Sequence, residues 1–410
     1  MSEIIKTTLD NGVRILTESV SHVGSASIGL WCRTGSINEN PDEGGITHFI
    51  EHMLFKGTER RTAKQIAEEI EGRGGMLNAF TDKEQTCYYC RVLADDAGNA
   101  VDVLTDMITH SKLDGEELER EKGVVLEEIK RGEDEPGDHV HDLHIDGLWP
   151  NHPLGLPIIG TPESVSSFDP EDLRKYIGRR YHAGTLLLSA AGNIKHDDFV
   201  MWAEERLGQI PNGESFEKPP RPAIVPGDNL VSKDVEQVHF CIGAEGCNVY
   251  DDDLFPMIVL DGVLGSGMSS RLFQEVRERR GLAYAVGSYN LPYSSGGAFT
   301  VFGGTSLAHW PEVQSVVRAE LDKVMNEDVP EGELQKVKRN LSGTLALSLE
   351  AMSPRMMRMA RNEFIHGRVI PLDETLAKIE AVTAAQVKAL ASRIFPTDRV
   401  RTTAIGPFGA

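Results

Sequence analysis

The sequence has no run of about 18 consecutive apolar residues, the length that a transmembrane helix needs, so we expect no membrane span. It is also poor in positive charge, since 42 lysines and arginines stand against 63 aspartates and glutamates, and the formal net charge is −21. A phosphate backbone selects a basic face, so we expect no nucleic-acid binding. The acidity is compatible with cationic substrates or with solubility alone.

Cysteine is scarce and odd in number, with five in 410 residues, which is typical of reduced thiols rather than of a disulfide framework. Cys87 and Cys90 have CxxC spacing, but in a strand these positions point to opposite faces, so we expect buried thiols rather than a zinc or redox site. Residues 1–6 lack the basic segment and apolar run of a secretory signal. Together these features predict a cytoplasmic protein.

The length of the chain favours two domains. Residues 208–229 are rich in proline and glycine and predict a linker, because proline cannot continue a helix or a central strand. We therefore predict a first domain over residues 1–207 and a second over residues 230–410.

The two halves show the same order of predicted elements, which begins with a strand followed by two helices and a further strand. This repeat predicts an α+β fold of two homologous domains, each with an antiparallel-rich sheet covered by helices on one side. The predicted first strands span 25–33 and 238–244, the helices span 44–55, 63–73, 253–264 and 269–277, and the matching late strands span 186–192 and 401–406.

A histidine-rich motif lies in the first predicted helix. His48, Glu51 and His52 are spaced i, i+3 and i+4, so their side chains share one helical face. Two imidazoles at this spacing can bind one Zn²⁺, and the carboxylate between them can take a proton from an attacking water. The order HxxEH is the inverted form of the commoner HExxH motif.

A third ligand is expected from a helix predicted over residues 114–130, with Asp114 at its N-cap. Val124 and Val125 mark its apolar stripe, and the spacing places Glu121 and Glu128 on the same stripe. A carboxylate turned toward a core is costly unless it is paired or metal-bound. We therefore predict Glu128 as the third ligand and Glu121 as a supporting carboxylate. The alternative is that both are solvated acids of a surface helix.

Four stretches of the chain resemble the pitrilysin family of zinc peptidases, the inverzincins, and the resemblance covers nearly the whole length. The stretches are GGITHFIEHMLFKG (44–57), GGMLNAFTDKEQTCYY (74–89), EREKGVVLEEI (119–129) and LGSGMSSRLFQEVRERRGLAY (264–284). Within the family the chain is similar to bacterial half-length members and to the catalytic subunit of mitochondrial processing peptidase. The resemblance implies a zinc metalloendopeptidase with one Zn²⁺ per chain, held by His48, His52 and Glu128, and with Glu51 and Glu121 as catalytic carboxylates.

The resemblance also implies residues that bind the substrate. Asn78, Ala79 and Phe80 would lie on a strand to which the peptide adds by main-chain hydrogen bonds. Arg277 would bind peptide carbonyl groups, and Tyr284 would stabilise the oxyanion of the scissile carbonyl. The residues alone leave simpler alternatives open, namely turn chemistry at Asn78, a surface Arg277 and a packed Tyr284.

The second half carries Leu260, Asp261 and Gly262 where the HxxEH motif would fall, so we expect no metal site of its own there. Full-length relatives have four such domains. The resemblance therefore implies that this two-domain chain dimerises into a hollow clamshell, as a homodimer or as a heterodimer with a related subunit. The rival function is a non-catalytic scaffold subunit, like the core proteins of the cytochrome bc1 complex. Such subunits commonly lose the zinc ligands that are present here.

A second acidic feature follows the predicted third ligand. Pro136 and Gly137 end one helix and a new one can start there, with Asp138 and Asp142 one turn apart on one face. In the processing peptidases, acidic residues at the matching positions recognise a substrate arginine. The resemblance therefore predicts a preference for basic residues near the cleaved bond. The alternative is that these acids only stabilise the N-terminus of their helix.

Overall fold

The structure, a computed structural model, describes residues 3–213, 216 and 218–409. The strands are β1 (Ile4–Thr8), β2 (Arg14–Ser19), β3 (Ser25–Cys32), β4 (Met76–Thr81), β5 (Thr86–Leu93), β6 (Leu186–Gly192), β7 (Gly227–Ser232), β8 (Val238–Glu245), β9 (Ala283–Pro292), β10 (Gly297–Thr305) and β11 (Arg401–Gly406). The α-helices are α1 (Ile46–Leu54), α2 (Ala63–Glu71), α3 (Ala97–Thr109), α4 (Gly115–Asp134), α5 (Pro136–Leu148), α6 (Pro162–Ser167), α7 (Pro170–Arg180), α8 (His196–Leu207), α9 (Leu254–Leu264), α10 (Trp310–Asn326), α11 (Glu331–Ser348), α12 (Met352–His366), α13 (Leu372–Glu380) and α14 (Ala384–Ile394).

Two compact units divide the chain. Unit 1 contains the described residues of 1–129, 157–217 and 348–370, and unit 2 contains those of 130–156, 218–347 and 371–410. Both units are thus discontinuous in sequence, unlike the continuous halves expected from the repeat. Within the described ranges, no helix is long and apolar enough to cross a bilayer.

The predicted linker, residues 208–229, is shorter than expected. Helix α8 ends at Leu207 and β7 begins at Gly227, so the last three residues of the predicted linker belong to a strand. Residues 214, 215 and 217 of this segment lie outside the described residues.

Unit 1 contains a six-stranded sheet in the order β1-β2-β6-β3-β5-β4. Its pairs are antiparallel except for β2 with β6, which confirms the predicted antiparallel-rich sheet. One face of the sheet packs on the main core, which contains side chains from α1, α2, α3, α4, α7 and α8. β4 is the edge strand and α1 packs beside it, so the HxxEH helix lies next to the edge of the sheet.

The opposite face of this sheet is also covered, which the prediction of helices on one side did not include. Helix α12 contacts β2, β3 and β6 there. Its buried side chains surround Trp31 and Leu187, and they are Met352, Met356, Met359, Ala360 and Phe364. β6 is buried along its whole length, as a continuous apolar strand with both faces covered should be. Cys87 faces this second cluster and Cys90 faces the main core, so the two thiols point to opposite faces.

Unit 2 repeats this arrangement with a five-stranded sheet in the order β7-β11-β8-β10-β9. Helices α9, α10 and α14 contribute to its main core. Helix α5 covers the other face, where Val140 packs with Cys241 and Ile405. Two sheets with helical layers confirm the predicted α+β class. Each sheet receives the helix on its second face from a segment outside the predicted continuous half, α12 in unit 1 and α5 in unit 2.

Candidate metal centre

Helix α1 presents the HxxEH motif on the face that it turns away from the core. The helix begins after Gly45, whose φ of 89° lies in the left-handed region. A side chain on Gly45 would also approach the carbonyl oxygen of Ile159 to 2.5 Å, so both conformation and space favour glycine. His48, Glu51 and His52 are half-buried. The buried face consists of Ile46, Thr47, Phe49, Ile50, Met53 and Leu54.

Three potential ligand atoms converge in unit 1. Glu128 Oε2 lies 4.0 Å from His48 Nε2 and 3.7 Å from His52 Nε2, and one ligand atom from each residue falls within 4.8 Å of the others. In a tetrahedral zinc site, bonds of about 2.0–2.2 Å place neighbouring donors about 3.4 Å apart. The observed spacing and the two imidazoles with one carboxylate therefore fit Zn²⁺. Among the described residues, this is the one group of three metal-binding side chains with such spacing.

Helix α4 supplies Glu128, although not in the way the predicted stripe implied. Asp114 accepts hydrogen bonds from two amides at its start, as expected of an N-cap. The buried residues of α4 are Leu118, Glu121, Val125 and Ile129. Val124 is 51% exposed, and the side chain of Glu128 is 45% exposed, so neither belongs to the core stripe. Glu128 lies on the flank of the stripe, because a period of 3.6 residues carries the buried line from residue 125 to 129.

Glu121 holds His52 from the side opposite to Glu128. Its Oε1 lies 2.8 Å from His52 Nδ1, and its Oε2 lies 2.5 Å from Lys56 Nζ. Burial favours the neutral acid, but the hydrogen bonds from His52 and Lys56 outweigh it and lower the pKa of Glu121. An Nδ1–H donor to this carboxylate leaves Nε2 of His52 as the lone-pair atom that faces Glu128.

Burial shifts the pKa of each of the two remaining groups of the motif toward its neutral form. Burial, together with the neighbouring His52, lowers the pKa of His48 to about 4, so its imidazole is neutral at neutral pH, the form that binds metals. Burial raises the pKa of Glu51, against a hydrogen bond of 2.5 Å from Thr81 Oγ1 to its Oε2. A carboxylate with a raised pKa is a better proton acceptor.

The predicted substrate strand is β4. It pairs only with β5, so within the described chain its other edge has no partner strand. The amide of Ala79 donates to the side-chain Oδ1 of Asn78 at 2.8 Å. Ala79 packs on the main core, whereas Phe80 meets Trp31 edge-on in the cluster on the opposite face. Strand alternation thus turns Ala79 and Thr81 toward α1 and Phe80 away from it.

Unit 2 brings Arg277 and Tyr284 together. The guanidinium of Arg277 lies 4.7 Å from the ring centre of Tyr284 and 4.8 Å from that of Phe273. Tyr284 is 81% exposed, so it is not a packed tyrosine. The helix predicted over residues 269–277 is present in part, and its Phe273–Glu278 segment is a π-helix. Such turns are rare and frequently lie at functional sites.

The acidic pair Asp138 and Asp142 lies on α5, also in unit 2. Both side chains are exposed and lie one turn apart. Between them, His141 is tied to the sheet by a hydrogen bond of 2.7 Å to the hydroxyl of Tyr289. Helix α5 begins at Pro136, as predicted.

Comparison with known proteins identifies the family. A model of the insulinase family, peptidase family M16, matches residues 14–162, and a model of the M16 inactive domain matches residues 167–341. The chain belongs to peptidase family M16. This confirms the resemblance that the four motifs indicated.

Relatives of similar length support the assignment to M16. An uncharacterized zinc protease of Bacillus subtilis is 41% identical over 95% of both chains. One of Streptomyces coelicolor is 38% identical, with 98% of this chain and 89% of that protein covered. Among solved structures, an M16 inactive-domain protein of Pseudomonas fluorescens superposes with a TM-score of 0.92 at 20% identity, covering 100% of this chain and 99% of that one. A protease of Helicobacter pylori gives 0.91 at 19% identity, covering 99% and 100%. These two structures share the fold.

Three residues of this M16 chain contact the predicted site residues without having been predicted themselves. Lys56 pairs with Glu121, Thr81 donates to Glu51, and Phe273 stacks on Arg277. Lys56 could have been found, because it lies one helical turn beyond His52. Thr81 and Phe273 depend on tertiary packing that the sequence pattern does not contain.

Proposed function

We propose that this chain is a zinc metalloendopeptidase that hydrolyses peptides or unfolded polypeptides, with one Zn²⁺ bound by His48, His52 and Glu128. The observation that carries the proposal is the convergence of these ligand atoms within 4.8 Å, beside the half-buried carboxylate of Glu51. The zinc proteases of Bacillus subtilis and Streptomyces coelicolor, similar over nearly the whole chain, support it.

Each residue then has a defined task. A bound Zn²⁺ would supply Lewis-acid activation of water and of the peptide carbonyl. Glu51 accepts the proton of the attacking water on a carboxylate oxygen and delivers it to the leaving amine. Glu121 fixes the tautomer and orientation of His52 through the 2.8 Å contact, and Lys56 keeps Glu121 ionised.

The substrate binds as an added strand along the free edge of β4. Main-chain hydrogen bonds give affinity without selecting a sequence, which suits a peptidase of unfolded chains. The amide of Ala79, now bonded to Asn78 Oδ1, becomes a donor to the peptide when the Asn78 side chain rotates away. Phe80 acts indirectly, because its ring anchors β4 on the far face.

Arg277 and Tyr284 are assigned to the same reaction, the first to bind peptide carbonyl groups and the second to stabilise the oxyanion. The exposure of Tyr284 and its stacking with Arg277 support this assignment. We propose that a partner chain contributes them in a dimeric clamshell, a homodimer or a heterodimer with a related subunit. Its chamber would admit peptides and exclude folded proteins. Five buried free cysteines support a cytoplasmic location.

We further propose a preference for basic residues near the cleaved bond. The exposed carboxylates of Asp138 and Asp142 can bind an arginine fork, which forms two parallel hydrogen bonds.

The test is zinc analysis of the purified protein together with mass-spectrometric mapping of cleavage sites in a peptide library. We expect one Zn²⁺ per chain and endoproteolytic products that a chelator abolishes. Stoichiometric zinc without cleavage would overturn the peptidase assignment. Absence of both zinc and cleavage would favour the scaffold function.

A further inference from the structure

A buried carboxylate lies at the N-terminus of the helix that carries the HxxEH motif. Glu39 is 9% exposed, its Oε2 accepts from the amide of Gly45 at 2.8 Å, and its Oε1 accepts from the amide of Thr47 at 2.9 Å. The first amides of a helix have no partner within the helix, and their end carries partial positive charge. Glu39 therefore caps α1 from outside the helix, with both oxygens used.

Other contacts fix the same turn of α1. The hydroxyl of Thr47 lies 2.7 Å from that of Tyr176, which is fully buried. Gly45 touches the backbone of Ile159 and Gly160 so closely that a side chain would not fit. His48 follows Thr47 directly, so the position of this first turn sets the position of the first imidazole.

Glu39 is also connected to the hairpin that follows β4. The amide of Ile37 donates to the carbonyl oxygen of Lys83 at 2.8 Å. Lys83 is buried, and its charge acts on the carboxylate of Glu39. Lys83 lies two residues beyond Thr81, whose hydroxyl holds Glu51. The loop that bears Glu39 thus contacts both the metal helix and the end of the proposed substrate strand.

A neutral amide could not replace this carboxylate. Glutamine has one acceptor oxygen, so one of the two helix amides would lose its partner. Burial raises the pKa of Glu39 to about 7, and the two amide bonds and Lys83 oppose that shift. Burial of an acid costs free energy unless its partners compensate. We therefore expect Glu39 to have a local structural role.

We propose that Glu39 is a positioning residue that fixes the first turn of α1, and through it the placement of His48 and Glu51 against β4. The inference rests on the proposed function for its catalytic consequence. Its structural part concerns the order of α1 alone and can be measured without any peptide substrate.

The test compares Glu39→Gln with Glu43→Gln in the full chain. Glu43 lies in the same loop, but its side chain bonds Asn40 and Arg179 rather than α1, so it is a matched control. Hydrogen exchange is followed in peptides that span residues 45–52, with and without zinc. Zinc affinity is measured by competition with a chromophoric chelator.

At pH 8, where Glu39 is mostly ionised, we expect Glu39→Gln to speed exchange in the first turn of α1 about tenfold, the effect of losing one hydrogen bond to a charged group. Zinc affinity should fall about ten- to hundredfold, as for other supports of metal ligands. At saturating zinc, kcat should fall while KM stays within about twofold, because the edge of β4 is intact. Glu43→Gln should match wild type in each measurement.

Exchange and zinc affinity unchanged from wild type would overturn the inference. If wild type cleaves no peptide, the proposed function fails while the exchange experiment still decides the role of Glu39. If Glu39→Gln does not fold, Glu39→Asp replaces it. That variant keeps the charge but withdraws the oxygens by one methylene, and an α1 as protected as in wild type would again contradict the proposal.

Discussion

Ser288 donates a hydrogen bond of 2.5 Å to the carboxylate of Asp261, which links helix α9 to the edge strand β9 in unit 2. In unit 1, Thr81 donates to Glu51 at the same distance and links α1 to the edge strand β4. Burial raises the pKa of both acids, that of Asp261 to about 6. The unit without the HxxEH motif therefore contains a similar carboxyl–hydroxyl pair that joins a helix to an edge strand.

The raised pKa of Asp261 predicts how the stability of the protein depends on pH. Because the folded pKa of Asp261 lies above its unfolded value of 3.8, the folded state holds the proton more tightly, and stability falls as pH rises from about 4 to 6. Asp261→Asn keeps an acceptor for Ser288 and removes the buried charge. We expect the variant to be more stable than wild type at pH 8, by at most about 3 kcal/mol. At pH 4 the two should be nearly equal.

Denaturant unfolding at the two pH values measures this difference, with the exposed Asp252→Asn as control. An Asp261→Asn variant that is less stable than wild type at pH 8 would show that the ionised pair stabilises unit 2. Zinc content should not change, because Asp261 belongs to the other unit.

The proposed roles of Glu51 as general base and Glu128 as zinc ligand predict different losses for two conservative substitutions. Glu51→Gln should retain zinc and lose about 10²–10⁴-fold in kcat, the usual contribution of a general base. Glu128→Gln should lose zinc as well, because a neutral amide replaces an anionic ligand. Metal analysis beside a peptide assay separates the two. Glu127→Gln changes the neighbouring exposed acid and should behave as wild type, whereas wild-type turnover in Glu51→Gln would refute the mechanism.

The local part of the site was predictable and its surroundings were not. His48, Glu51 and His52 follow from helical spacing alone, which is a property of adjacent turns. The structure places Glu128 beside the histidines, as the predicted third ligand requires, but both Glu128 and Val124 lie outside the buried stripe of α4 in which the spacing places them. Consecutive side chains of an α-helix are rotated by 100° about its axis, so an error of one residue in the position of the stripe is an error of 100°. Periodicity therefore cannot distinguish the centre of a buried face from its flank.

The fold class was confirmed, yet two features of the packing could not be read from the pattern. Helix α12 is amphipathic, but its sequence does not indicate which sheet its methionines contact. The π-helix at Phe273–Glu278 has an apolar spacing close to that of an α-helix, and it differs in hydrogen bonds that reach five residues back, such as that from the amide of Arg279 to the carbonyl of Gln274. The placement of α12 depends on contacts between residues far apart in sequence. The π-helix depends on a shift of hydrogen-bond partners by one residue.

A site shared between subunits predicts complementation. Glu51→Gln and Arg277→Ala should each be poorly active as homodimers. After mixing and subunit exchange, activity should return to about a quarter of wild type, since half of the dimers are mixed and each has one intact site. Native mass spectrometry confirms exchange. If exchange occurs and activity stays absent, the reacting groups come from a single chain.

The stacking of Arg277 against two aromatic rings predicts that lysine cannot replace it. Arg277 lies between Phe273 and Tyr284, so its planar guanidinium has contacts that an ammonium cannot replace. Arg277→Lys homodimers should therefore be nearly as inactive as Arg277→Ala homodimers, and should likewise regain activity when mixed with Glu51→Gln. Equal activity of Arg277→Lys and wild type would mean that only the charge matters.

The acidic pair on α5 should give the protein a preference for basic residues near the cleaved bond. Asp138 and Asp142 are exposed on α5, one turn apart, and an arginine between them would relieve the repulsion of two like charges and form charge-assisted hydrogen bonds. Replacing both with asparagine keeps the shape of the helix and removes the charge. We expect kcat/KM for peptides with arginine or lysine near the cleaved bond to fall about tenfold, as for the loss of one such bond at a solvated site.

Two controls make this prediction specific to the pair. Asp146→Asn removes an exposed charge one turn further along α5 and should leave the cleavage profile unchanged. Peptides with norleucine in place of the basic residue should be cleaved equally by wild type and double variant. The preference in wild type should also weaken as ionic strength rises, because exposed charges are screened over about 8 Å at physiological salt. A wild-type profile without basic preference, or one that survives in the double variant, would leave the acidic pair with no role beyond stabilising the first turns of its helix.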